Sequence, residues 1–178
     1  MSPLTLARPT FVPWDIEMAR LNFGANCGPA SFAALMKTEV CRVISYFPHF
    51  EHSNWTNLTQ MLGALDGAGY DAELRRREFP SRGLALIQWL GPWTEKGFFS
   101  RWALPYTHWI AVDGPWLFDY TAEKWQSLTD WAALVAKEFV SEVPRATGWA
   151  VKYGIEVKKE TEIALSPRVR ALALRARA

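Results

Sequence analysis

The sequence predicts an α+β fold in which N-terminal helices pack on a C-terminal antiparallel sheet. Three observations lead there. Apolar residues recur at helical spacing in two windows before residue 70, and strand-like runs bounded by turn residues follow it. Helices and strands do not alternate as a parallel sheet would require.

The 178 residues read as one domain over 1–160, led by an arm over 1–20 and followed by a basic tail at 161–178. A charged fraction of 21% and a hydrophobic fraction of 49% are those of an ordinary water-soluble globular chain. The net charge of +2 gives no reason to expect a nucleic-acid partner, and the arginines of the tail read as a solvated face. No apolar run approaches the roughly 18 residues of a membrane span, and the N-terminus lacks the apolar stretch of a secretory signal. A cytoplasmic protein with no membrane partner is the expectation.

Residues 1–21 carry three prolines and read as an extended arm ending in a short helical turn near 15–21. A polar loop from Asn22 then meets an apolar helix, with Cys27 at the junction. Pro29 falls in the first turn, where its missing N–H costs nothing. The helix is expected to run to about Arg42, with Phe32, Leu35, Met36, Val40 and Val43 as its buried stripe. After a loop at 45–56, Asn54 or Thr56 caps a second helix over 57–67, where Leu58, Met61, Leu62 and Leu65 repeat and Gly67-Ala68-Gly69 ends it.

Residues 70–79 read as a strand, and 84–90 as a buried strand bounded by Gly83 and Gly91. An irregular aromatic loop fills 93–105. The strongest hairpin signal lies at 106–120, where β-branched and aromatic residues flank Asp113-Gly114. A third helix follows over 129–140, with Trp131, Leu134, Val135 and Phe139 on one side, and a last strand or hairpin over 148–159. Most of the ten tryptophans are expected in the core, with some free to line a cleft.

A thiol at a helix start is open to activation, because the free N–H groups and the positive dipole end favour thiolate and can hold an oxyanion. A turn at Asp113-Gly114 puts His108 directly across from Asp119, with both side chains on one face. If Pro115, which cannot donate to the ladder, joins the turn instead, the register slips by one and Asp119 becomes a diagonal neighbour. Either way, an imidazole and a carboxylate come together to serve as base and orienter for a nucleophile. Asp113, explained by the turn, and Asp130 are the alternative carboxylates. Cys41, among ordinary helix residues, reads as structural, and two cysteines build neither a disulfide framework nor a zinc motif. His49 and His52 have no further metal ligand at useful spacing, so no metal and no cofactor are expected.

The run Asn26-Cys27-Gly28-Pro29-Ala30-Ser31, a second helix ending in Gly69-Tyr70, and Thr107-His108-Trp109-Ile110-Ala111-Val112-Asp113-Gly114 followed by Phe118-Asp119 resemble a papain-like cysteine peptidase. The similarity is greatest to the bacteriocin-processing peptidases that cut after double glycine, and it spans about residues 20–125. It implies Cys27 as nucleophile, His108 as general base and Asp119 as orienting carboxylate. Where that family carries a glutamine as oxyanion donor, this chain has none. Asn22 is the substitute, with Asn26 as second choice. The implied function is a thiol hydrolase of peptide or isopeptide bonds, with a protein or peptide as substrate. The alternatives are an inactive binding or inhibitory protein on the same fold, or an acyltransferase or transamidase on the same triad.

Overall fold

A computed structural model describes residues 7–48, 50, 55–95, 103, 105–143 and 145–158. The expectations for His49, His52, most of the 93–105 loop and the 161–178 tail lie outside these residues. Helices α1 (Ile16–Phe23), α2 (Cys27–Met36), α3 (Val40–Val43) and α4 (Leu58–Gly67) come first. Strands β1 (Ala72–Arg76), β2 (Arg82–Leu90), β3 (Thr107–Asp113), β4 (Trp116–Asp119) and β5 (Lys124–Ser127) follow. Then come α5 (Leu128–Trp131), a π turn (Ala132–Ala136), α6 (Lys137–Glu142) and β6 (Gly148–Val157).

The six strands form one antiparallel sheet in the order β1-β6-β2-β3-β4-β5. The fold class is therefore α+β. Alternate strand residues feed two apolar layers, as the two-residue period of a strand requires. Leu84, Leu86, Trp109, Ala111 and Phe118 pack with the N-terminal helices, while Ile87, Trp89, Ile110, Val112 and Leu117 pack with Trp131 and Ala136. The third predicted helix thus lies between β5 and β6 in the chain and covers the face opposite to the first four. Its π turn changes the phase of the apolar stripe: Trp131 is fully buried, whereas Leu134 is 60% exposed.

The first long helix ends sooner than its periodicity predicts. Lys37 takes a left-handed conformation (φ 55°), its N–H bonds Ala34 O at 3.3 Å, and the Thr38 N–H bonds Ala33 O at 3.0 Å, a helix-ending pair usually built on glycine. The chain restarts as α3, whose first N–H groups, on Val40 and Cys41, both donate to the Asp15 carboxylate at 2.8 Å. Burial pushes the Asp15 carboxyl up, but those hydrogen bonds outweigh it and hold the group below its ordinary value. The second helix is capped one residue later than expected after Thr56: Asn57 accepts from the Gln60 N–H while Gln60 returns a bond to Asn57, a reciprocal capping box.

β6 lies between β1 and β2, so the short link from β1 to β2 has to pass over it. That link crosses at Gly154, where an added Cβ would run into the Glu78 carbonyl oxygen and the Pro80 ring. Glu156 closes the link by accepting from the Ser81 hydroxyl and N–H and from the Arg82 N–H, with Arg75 beside it at 3.5 Å. Gly154→Ala should therefore lower stability by about 1–3 kcal/mol, the usual cost of overpacking. Urea unfolding at neutral pH reads this, and an unchanged midpoint would show that the link can move aside.

Candidate active site

Asn26 caps α2, its side-chain oxygen accepting from the Gly28 N–H at 3.2 Å. Pro29 has no N–H, and that of Ala30 bonds the Asn26 carbonyl at 3.1 Å. Among the described residues the Cys27 N–H has no acceptor, which leaves it as the donor at this turn open to another. Gly28 allows a close approach: an added Cβ would meet the Thr56 hydroxyl. The Thr56 carbonyl accepts from Trp109 Nε1 at 2.8 Å, and Ser31 Oγ donates to the Trp109 carbonyl at 2.9 Å. These contacts fix the start of α2 against the start of β3. There the half-buried Cys27 thiol lies close enough to His108 and the Trp109 backbone for both to act on its ionisation.

The hairpin adopts the second of its two predicted registers. Asp113 pairs with Trp116, so Gly114 (φ 59°) and Pro115 form the turn, and Ala111 pairs with Phe118. Continued by one step, this register sets Asp119 level with Ile110 and diagonal to His108. The slip keeps both side chains on one face, and His108 Nε2 lies 3.0 Å from Asp119 Oδ2. With Nε2 so engaged, Nδ1 is the ring atom left for the thiol.

Asp119 has no solvent exposure, and its oxygens are held by three donors. Beside His108, Trp131 Nε1 donates to Oδ2 at 2.6 Å and the Thr121 N–H to Oδ1 at 2.7 Å. Trp131 is a positioning residue that sequence reasoning places only in the core. Its signal was the indole N–H, which needs an acceptor when buried. Trp89 stands over the pair, its ring 6.3 Å from that of His108, and stacks on Phe139 at 3.9 Å.

Burial pushes the Cys27 thiol up, but the positive charge and hydrogen bond of His108, with the Trp109 backbone bond, hold it below its ordinary 9.0. Burial would lower His108, but the Asp119 and Cys27 charges and hydrogen bonds carry it from 6.5 to about 10. Burial raises Asp119, and the His108 charge with the His108, Trp131 and Thr121 hydrogen bonds bring it from 3.8 to about 2. At neutral pH His108 is an imidazolium and Asp119 a carboxylate, and together they shift the Cys27 thiol toward its thiolate. The stability contributed by Asp119 is complete above 3.8 and lost as the pH falls through about 2; that of His108 is complete below 6.5 and lost as the pH rises through about 10.

No protein-family model matches the chain, and no curated protein does. The remaining assignments rest on position. Asn22 lies exposed on the last turn of α1, with no hydrogen bond to Cys27 among the described residues. Asp113 sits at the end of β3 and Asp130 bonds Ser127, so neither serves His108. Cys41 is raised to about 11 by burial and by its hydrogen bond to Asp15, the opposite of Cys27. Among the described residues no group of three potential metal ligands gathers, and no helix is long and apolar enough to cross a membrane. A cavity of about 320 Å³ is lined by Thr56, Leu86, Thr107 and Tyr153, among others.

Alkylation by iodoacetamide across pH should show Cys27 half-reacted below pH 9.0 and Cys41 only near 11. In His108→Ala the Cys27 inflection should move up, since burial then acts unopposed. Equal, slow modification of both thiols would refute the activation of Cys27 by His108. Trp131→Phe removes one Asp119 donor and should raise the Asp119 pKa, visible in the acid limb of the same alkylation profile.

Proposed function

We propose that the chain is a thiol hydrolase of papain-like architecture that cleaves a peptide or isopeptide bond. The observation that carries this reading is His108 placed between the Cys27 thiol and the buried Asp119 carboxylate, with the thiol at a helix N-terminus. The Cys27 thiolate attacks the scissile carbonyl carbon, and the C=O electron pair moves onto oxygen, which the Cys27 N–H holds. As the oxyanion collapses, the C–N bond breaks and the His108 imidazolium gives its proton to the leaving amine. A thioester remains. His108 then takes a proton from water, whose oxygen attacks the thioester, and the thiolate leaves to restore the ion pair. Asp119 holds the ring and its charge throughout.

An amine in place of water would make the same triad a transferase. A second reading, a binding protein on this fold without chemistry, draws on the exposure of Asn22. Loss of one oxyanion donor costs about 10²–10³ in kcat, so the Cys27 N–H alone is a weak hole.

Screening quenched-fluorescence peptide libraries separates the two readings. Wild type should cleave a subset, Cys27→Ala none, and His108→Ala about 10²–10⁴-fold more slowly. A cellular effect that survives Cys27→Ala, with no cleavage by wild type, would favour the binding protein.

A further inference from the structure

We propose that Lys152, with Arg76 and Arg77 beside it, is an anion-accepting subsite of the cleft that selects peptides bearing a carboxylate about three residues from the bond attacked. The assignment rests on the hydrolase reading for the location of the scissile bond, but the subsite itself stands on separate observations.

The first is a bulge. Leu86 pairs with Tyr153 and Ile87 with Val151, which leaves Lys152 without a partner on β2, while on the other side its carbonyl accepts from the Arg77 N–H at 3.4 Å. Bulges re-aim side chains, and this one gives Lys152 to two cavities at once. One is the 320 Å³ cavity lined by Thr56 and Thr107, which adjoin Gly28 and His108. The other, of about 570 Å³, is lined by Arg76, Arg77, Gln88, Thr94 and Tyr153 among others. Three cations line the second cavity, and among the described residues no Asp or Glu lines either.

The second observation is how the ammonium is held. Lys152 Nζ donates to Gln88 Oε1 at 3.1 Å. The Gln88 amide nitrogen is tied down by the carbonyls of Trp89, Ala103 and Tyr106 at 2.9–3.2 Å, so its oxygen is fixed toward the lysine. That partner is neutral. Among the described residues no carboxylate forms an ion pair with Lys152, Arg76 or Arg77. Burial holds the Lys152 ammonium below its ordinary pKa, the mark of a half-buried charge that is solvated by one amide and uncompensated. A ligand carboxylate entering the cleft would supply the missing countercharge through charge-assisted hydrogen bonds.

The third observation is distance along the sheet. Gln88 pairs with Thr107 on one side and with Ala150 on the other, so the Lys152 ammonium, held by the Gln88 amide on the Leu86 face of the sheet, lies two strands from Thr107, the residue before the base. Two inter-strand spacings are about 10 Å, which an extended peptide covers in about three residues at 3.3 Å each.

The test uses the full-length chain carrying Cys27→Ala, so that no turnover intervenes. Fluorescein-labelled Ala-Gly octapeptides with one Glu walked along the sequence are compared with their Gln counterparts by anisotropy at low salt, each as free acid and as C-terminal amide. The expectation is about tenfold tighter binding of Glu over Gln at one position, abolished by Lys152→Met and retained in Lys158→Met, a change at an exposed lysine paired with Asp71. If only the free acids gain, the carboxylate selected is a chain terminus rather than a side chain. Equal binding of all peptides, no binding at all, or a Glu preference that persists in Lys152→Met would overturn the subsite. Iodoacetamide reactivity of Cys27 in the unmutated chain is read separately, and its absence would count against the hydrolase while leaving the binding result intact.

Discussion

Asp119 carries its charge at a position without solvent, and a carboxylate there is tolerable only if its lone pairs are taken. Each of its three donors belongs to a different part of the chain: the His108 ring to β3, the Thr121 N–H to the turn after β4, the Trp131 indole to α5. The β3–β4 register, the course of the chain into β5 and the seating of α5 on the sheet are thus conditions on one another. Trp89, Phe139 and Trp149 close the apolar wall around Trp131 and the pair. The low dielectric that makes an unpaired Asp119 so costly also strengthens its hold on His108.

The thiol approaches from the other layer. Trp109 and Ala111 face α2, whereas His108 and Ile110 face α5, so a cysteine in the middle of α2 would meet the wrong side of β3. Cys27 escapes this because it is the first residue of its helix and His108 the second of its strand. The two layers communicate at the strand end, and the Ser31, Trp109 and Thr56 bonds keep that junction closed.

Much of this was legible in the residues. The cysteine at a helix start, the capped second helix and the pairing of His108 with Asp119 follow from glycine, proline and alternation. What escaped has identifiable causes. Lys37 ends a helix in a conformation usually left to glycine, so periodicity carried the prediction past it. Asp113-Gly114 is the stronger local turn signal, but Pro115 cannot donate to a ladder and is accommodated in the turn itself. β5 is four residues, Lys124 to Ser127, too short to show a period. The donor role of Trp131 and the capping of α3 by Asp15 join residues distant in sequence, and no local pattern encodes them. Residue type makes Asn22 a candidate amide donor, but its exposure depends on where α1 packs, which no local pattern encodes.

The link that crosses Gly154 bears on how the chain is made. β1 and β2 are neighbours in sequence yet share no ladder; each waits for β6, more than 50 residues after β2 has ended. While the chain emerges from a ribosome, both strands therefore present open edges, the condition that invites pairing with other chains. β6, one strand in from the sheet edge, is the last of the six to be synthesised and has to fit against a link already made, so a pause before residue 148 would leave both edges open. The same late segment delivers Lys152, so that the sheet and the proposed subsite are completed in one step.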